Sequence, residues 1–210
     1  MNILMEKIKT IFWDFDGVIM DSMSVRDKGF EIVLKNYPQE QVALLMAYHR
    51  DNGGLSRYHK FRYFFEEIRG EIISDLDIKI LADEFSIVML GNLLDESLLI
   101  KDSFDFIKKN YSKFNMHIVS GSDEVELRHI CETLGLANYF ISIHGSPTPK
   151  KELVKNVLKE NKYIKEEICL IGDSLNDLEA AAFNDIVFYG YNNELLLSRS
   201  KKYIHTFLNI

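Results

Sequence analysis

The strongest constraint on how this 210-residue chain can fold is a repeated pattern: an apolar stretch that stops abruptly at a polar residue. Residues 7–14 are β-branched and aromatic and run into Asp14-Phe15-Asp16-Gly17. Residues 116–120 end at Ser120-Gly121, residues 139–143 lead toward a lysine near 150, and residues 168–172 run into Asp173. Each reads as a strand entering a loop. The first need not alternate, because a parallel strand buried on both faces is apolar throughout. Helical patterns fall between them, at 101–110, 123–134 with a stop at Gly135, 150–161 and 175–183. A further strand is expected at 186–189, and from Ser198 a loop and a short edge strand. Strand and helix in alternation predict an α/β fold, a doubly wound parallel sheet with helices on both faces. Such sheets bind ligands beyond the carboxyl ends of their strands.

The alternation is interrupted early. Residues 22–97 carry one proline, Pro38, and few β-rich runs. Helices are expected at 22–36, 39–50, 56–69 and 76–94. Phe61, Phe64, Phe65 and Ile68 recur at helical spacing, as do Ile80, Leu81, Phe85, Val88 and Met89. The organisation that follows is a core of residues 1–21 and 98–210, with an all-helical insertion of residues 22–97 after the first strand.

Bulk properties narrow the chemistry. A hydrophobic fraction of 47% suffices for a core without metals or disulfides. A net charge of −7 argues against nucleic acid as the partner, since phosphate backbones select basic surfaces. A small phosphorylated metabolite is still permitted, because a local cluster of cations or main-chain N–H groups can hold one phosphate. The two cysteines, Cys131 and Cys169, share no ligand spacing and read as core residues of a reducing compartment. Residues 1–10 lack the apolar run of a signal peptide, and no stretch approaches the roughly 18 apolar residues of a membrane helix. The expectation is a cytoplasmic protein without a membrane partner, a monomer or small homo-oligomer.

The polar strand ends carry the chemistry. A parallel sheet brings Asp14, Asp16, Ser120, the lysine near 150, Asp173 and Asp177 to one edge. Clustered acids repel unless a cation sits among them, and a hard divalent ion with oxygen ligands, usually magnesium beside phosphate, suits Asp14, Asp16 and Asp173. With the charge offset, an ionised carboxylate can attack phosphorus. The second acid, two residues on, points the same way and is placed for general acid/base work. Ser120 and the Gly121 N–H region offer donors to phosphoryl oxygens, and the lysine offers charge neutralisation. Taken singly these are ordinary features: Asp16-Gly17 is a turn signal, and Asp173 or Ser174 could be a helix cap.

Together these residues resemble the haloacid dehalogenase superfamily of hydrolases. Its first motif is matched by Asp14-Phe15-Asp16-Gly17-Val18-Ile19-Met20-Asp21-Ser22, its second by Ile118-Val119-Ser120-Gly121, and its fourth by Leu170-Ile171-Gly172-Asp173-Ser174-Leu175-Asn176-Asp177. The third motif departs from the usual Lys-Pro; here Gly145-Ser146-Pro147-Thr148-Pro149-Lys150-Lys151 favours Lys150, with Lys151 as the alternate. The resemblance implies a Rossmann-like core with a helical cap, in the phosphatase branch near phosphoglycolate phosphatase and beta-phosphoglucomutase. It implies Asp14 as nucleophile and Asp16 as general acid/base. Asp14, the Asp16 carbonyl and Asp173 would hold Mg2+, supported by Asp177, with Ser120, Gly121 and Lys150 on the phosphate. An acid at Asp16 favours phosphate chemistry over carbon–halogen cleavage. In the cap, Arg50, Arg57 and Lys60 flank Gly53-Gly54 and are candidates for reading the substrate. Besides a phosphatase, a phosphomutase and a catalytically silent binding module stay open.

Overall fold

The computed structural model describes residues 5–208 and 210; the first four residues of the leading segment read for a signal peptide lie outside them. Six parallel strands form one sheet in the order β3-β2-β1-β4-β5-β6. They are β1 (Thr10–Trp13), β2 (Asn115–Asp123), β3 (Ser142–Ser146), β4 (Ile168–Gly172), β5 (Val187–Tyr191) and β6 (Tyr203–Ile204). β1 is central, with Trp13 in register with Ile118 on one side and Ile171 on the other. The chain builds outward from β1 to β3, then crosses back and builds the other way from β4. That reversal leaves a crevice at the carboxyl end of β1.

Helices cover both faces. Eight are numbered along the chain: α1 (Met23–Val33), α2 (Gln39–Asp51), α3 (Arg57–Tyr63), α4 (Asp75–Leu90), α5 (Lys101–Asn110), α6 (Glu124–Thr133), α7 (Lys150–Asn161) and α8 (Leu175–Phe183). Alternate residues of β1 serve opposite faces. Phe12 packs with Val154 of α7 and Ala180 of α8, while Ile11 and Trp13 pack with Phe106 of α5 and Ile130 of α6. Both cysteines are buried in this core and free. No helix among the described residues is long and apolar enough to cross a membrane.

Helices α1 to α4 lie between β1 and β2 with no strand among them. Their own centre is the ring cluster Phe30, Phe61 and Phe85, with centroids 4.6 to 6.2 Å apart, a spacing that adds to simple burial. The chain leaves and re-enters the sheet side by side: Ile100 N–H donates to Ile19 O at 2.9 Å and Asp21 N–H to Leu98 O at 2.7 Å. The long helix expected over 56–69 is instead α3 followed by a wider turn, Phe64–Ile68, closed by Arg69 N–H on Phe64 O at 3.1 Å.

One expected strand is displaced. Residues 139–143 read as a strand, but the strand is Ser142–Ser146, behind a 3-10 turn at Leu136–Tyr139. Gly135, at φ +67°, ends α6 and starts that turn. The aromatic character of Tyr139 reflects its edge contacts with Phe104 and Tyr111.

His117 on β2 is wholly buried, with Nδ1 2.7 Å from Ser142 Oγ and Nε2 3.0 Å from the Tyr163 hydroxyl. Burial, with His144 nearby, pushes it down to about 4. It stays neutral in the fold, whereas the unfolded chain takes up a proton near pH 6.5. Between those values the unfolded state binds more protons, so stability falls as pH drops from about 6.5 toward 4. Urea denaturation across that range should show the loss, and His117→Gln should flatten it.

Candidate active site

Asp14 is the first residue beyond β1. Its N–H donates to Ile171 O at 3.0 Å, and its Oδ1 accepts from Phe15 N–H at 2.7 Å. Lys150 opens α7 directly behind Pro149 and is 3% exposed. Its Nζ lies 2.8 Å from Asp14 Oδ1 and also donates to Asp177 Oδ1. The other oxygen of Asp177 accepts from Ser174 N–H at 3.1 Å and Ser174 Oγ at 2.6 Å, closing a capping box on α8. Asp177 therefore starts a helix with one oxygen and holds Lys150 with the other. Asp173 follows β4. Gly17 sits at φ +75°, where a Cβ would lie 2.0 Å from Asp173 Oδ2, so only glycine fits the turn.

Carboxylate oxygens of Asp14, Asp173 and Asp177 come within 4.8 Å of one another. Burial raises Asp14 well above the ordinary carboxylate range, Asp177 and Asp173 push the same way, and Lys150 opposes them. Burial and then Asp177 push Asp173 up to about 7. Lys150 itself is raised despite burial, because Asp14 and Asp177 face it. One ammonium does not balance three acids. An all-oxygen donor set this crowded and this short of positive charge fits a hard divalent cation.

Asp16 is in a different state. Burial alone would raise it, yet Arg26, Ser122 and Ser22 hold it below the ordinary range. Arg26 Nε donates to Oδ1 at 2.7 Å, Ser22 Oγ shares that oxygen, and Ser122 Oγ donates to Oδ2. Arg26 also reaches Glu126 Oε1 at 3.1 Å, and Arg57 Nη1 lies 2.6 Å from Glu126 Oε2. Glu126, on α6, is thus gripped by two guanidiniums from the helical insertion.

The loop before α3 closes the site from above. Asn176 Nδ2 donates to Gly54 O at 2.7 Å, and a Cβ on Gly121 would fall 2.4 Å from that carbonyl. Glycine at 121 lets the two backbones meet. Asp123 caps α6 with Oδ1 and accepts from the Tyr58 hydroxyl with Oδ2 at 2.7 Å. A cavity of about 40 Å³ remains beneath the loop, bordered by Asp14, Asp16, Asp173, Arg26, Arg57 and Lys60 among others.

The structure therefore brings Asp14, Asp16, Gly121, Asp173, Arg57 and Lys60 to one cavity, with Lys150 and Asp177 directly behind Asp14. Ser120 is buried beside it, its Oγ accepting from Ser122 N–H at 3.1 Å. Arg50 is not brought in: it is 62% exposed and pairs with Asp27. Lys151 points away, over the Phe183 ring. Arg26, Glu126, Ser22 and Ser122 were not singled out by sequence reasoning. Ser122 lay beyond the expected strand end at Ser120, and the ladder is irregular between Val119 and Asp123, so strand periodicity did not reach it. Arg26 and Glu126 are 100 residues apart and carried no signal either.

A family model for haloacid dehalogenase-like hydrolases matches residues 8–184, and the chain belongs to that family. No curated protein matches the chain significantly. Solved structures share the fold at low identity. A beta-phosphoglucomutase from Clostridium difficile is 16% identical with a TM-score of 0.74, covering 95% of this chain and 92% of that one. A predicted phosphoglycolate phosphatase from Haemophilus somnus is 16% identical at 0.72, covering 97% and 96%. A predicted phosphatase from Clostridium acetobutylicum is 17% identical at 0.74, covering 94% of each.

Removing Lys150 would leave two buried acids without their cation. Lys150→Met should cost about 3–5 kcal/mol, read as a lower melting temperature. Magnesium should recover more of that loss in the variant than it adds to the wild type.

Proposed function

We propose that the chain is a magnesium-dependent phosphatase that hydrolyses a small phosphate monoester through an aspartyl-phosphate on Asp14. The observation that carries this reading is the asymmetry of the Asp14 carboxylate. Its Oδ1 is held by Phe15 N–H and Lys150, while Oδ2 has no donor among the described residues and the group borders the cavity. One oxygen anchors the group and the other is available to attack.

The Oδ2 lone pair forms a bond to phosphorus as the ester P–O bond breaks. Asp16, which takes up a proton once substrate entry frees it from Arg26, Ser22 and Ser122, protonates the departing oxygen and afterwards takes a proton from water, which attacks phosphorus, releases phosphate and restores Asp14. Ser120, the N–H groups around Gly121 and Lys150 steady the phosphoryl oxygens. Held by Asp14, the Asp16 carbonyl and Asp173, with Asp177 in support through Lys150, a divalent cation such as magnesium would offset the charge of the phosphoryl oxygens. Residues 22–97 act as the cap, with Arg57 and Lys60 facing the substrate. The seated loop and small cavity also favour a second reading, a phosphomutase, which must exclude water until the phosphate is returned.

Phosphate release from phenyl phosphate and a panel of metabolite esters separates the readings. Asp14→Asn should lose at least about 10³-fold in kcat, and Asp16→Asn about 10²–10⁴-fold. Chelation should abolish wild-type turnover. Isomerisation of a sugar phosphate without phosphate release would establish the mutase instead.

A further inference from the structure

The loop that follows β5 reaches both acid-bearing loops of the site, through two consecutive asparagines that the phosphoryl chemistry does not use. Asn193 Nδ2 donates to the backbone carbonyl of Asp173 at 2.7 Å. Asn192 Nδ2 reaches across the end of β4 and donates to the carbonyl of Gly17 at 2.9 Å. Asn193 is aimed by anchors of its own. Its Oδ1 accepts from Leu195 N–H at 3.1 Å, capping the 3-10 turn Glu194–Leu196, and its N–H donates to the Tyr203 hydroxyl at 3.0 Å. With Oδ1 taken in this way, the amide turns Nδ2 toward Asp173. Asn192 sits at φ +52°, a left-handed backbone that asparagine adopts more readily than most residues, and from there its amide reaches Gly17.

These two carbonyls control the gap between the acids. The peptide after Asp173 is gripped on both sides, its O by Asn193 and its N–H, that of Ser174, by Asp177. Gly17 directly follows Asp16, whose own carbonyl belongs to the donor set read for the cation. The Asp173 charge repels that of Asp14, which works to part the loops after β1 and β4. Beyond the bond from Asp14 N–H to Ile171 O, neither loop belongs to the ladder. The asparagines fasten both loops to one support, the end of β5.

We propose that Asn192 and Asn193 are positioning residues for the divalent cation: by tying the Gly17 and Asp173 carbonyls to the end of β5, they set the gap between Asp14 and Asp173 at a width that suits a small ion. The inference rests on the reading of Asp14, the Asp16 carbonyl and Asp173 as the cation's ligands. Mg2+ takes its oxygens at about 2.0–2.1 Å and tolerates little distortion, whereas Ca2+ takes them at about 2.3–2.6 Å in flexible geometry. A braced gap therefore favours Mg2+, and a loosened one gives up that preference. Asn193 is half-buried and Asn192 exposed, so Asn193 carries the larger share, because water competes more for the other bond.

Titration calorimetry of Mg2+ and of Ca2+ on metal-stripped protein, with no ester present, tests this. Asn193→Asp keeps the oxygen that accepts from Leu195 and loses the donor to Asp173. Its added negative charge would by itself tighten cation binding, so a loss points to the missing donor. Asn192→Gly keeps the left-handed backbone and removes only the amide. Asn193→Asp should weaken Mg2+ about 10- to 100-fold, Asn192→Gly should weaken it less, and in both Ca2+ should lose less than Mg2+. The melting temperature of each stripped variant should stay within about 4 °C of wild type, the shift of one lost hydrogen bond in a chain of this length. No Mg2+ binding by the wild type, wild-type Mg2+ affinity in a folded Asn193→Asp, or an equal loss for the two ions overturns the proposal. Should Asn193→Asp fail to fold, unchanged Mg2+ binding in Asn192→Gly does the same. Because calorimetry needs no turnover, a wild type whose Mg2+ binding depends on the asparagines but that releases no phosphate from any ester counts against the phosphatase reading alone. A working phosphatase whose asparagines leave Mg2+ binding unmoved counts against the brace alone.

Discussion

The Lys150 ammonium, buried between Asp14 and Asp177, is the contact that lets the rest of this site exist. Strands β1 and β4 end side by side because the sheet is parallel, and that alone forces their terminal acids together. With Asp177 in the first turn of α8, three carboxylates meet, Asp14 and Asp177 buried and Asp173 partly so. Lys150 lowers the repulsion enough for the crevice to close and ties α7 to α8 across the end of β1. It does not cancel the repulsion, and Asp14 and Asp173 remain displaced upward. The same imbalance that strains the fold is what prepares the site for a metal.

Charge is divided between the two parts of the chain. The floor of the cavity is acidic and comes from strand ends, with Asp14, Asp16 and Asp173. The roof is basic and comes from the helical insertion, with Arg26, Arg57 and Lys60. Glu126 on α6 and Asp16 below are the two acids that hold the guanidiniums of the roof. Backbone contact between Gly54 and Gly121 brings these layers close enough for the ion pairs to form.

Much of this was legible in the sequence, for a physical reason. Asp14 and Asp173 directly follow apolar strands, and topology alone carries such ends to one edge; Ser120 was expected to end its strand, but β2 runs past it to Asp123. Lys150 was preferred to Lys151 from the pattern Ser146-Pro147-Thr148-Pro149-Lys150, and the structure pairs it with two acids. The reading failed where tertiary packing overrides local pattern. Aromatic residues near Tyr139 suggested a strand but stabilise a turn. Arg50 and Arg57 looked equivalent beside the Gly53-Gly54 loop, yet only Arg57, which opens α3, faces inward; Arg50, in the last turn of α2, turns out to Asp27. The Arg26–Glu126 pair depends on how α1 crosses α6, which no local signal encodes.

Asp123 gives the joint between the two parts an unusual property. One of its oxygens caps α6 and the other receives the Tyr58 hydroxyl. Because the two duties fall on different atoms, Tyr58 can detach and water can take its place while the helix terminus keeps its cap. That single contact is thus separable from the helix: losing it leaves no orphaned donor at the start of α6 and frays no turn.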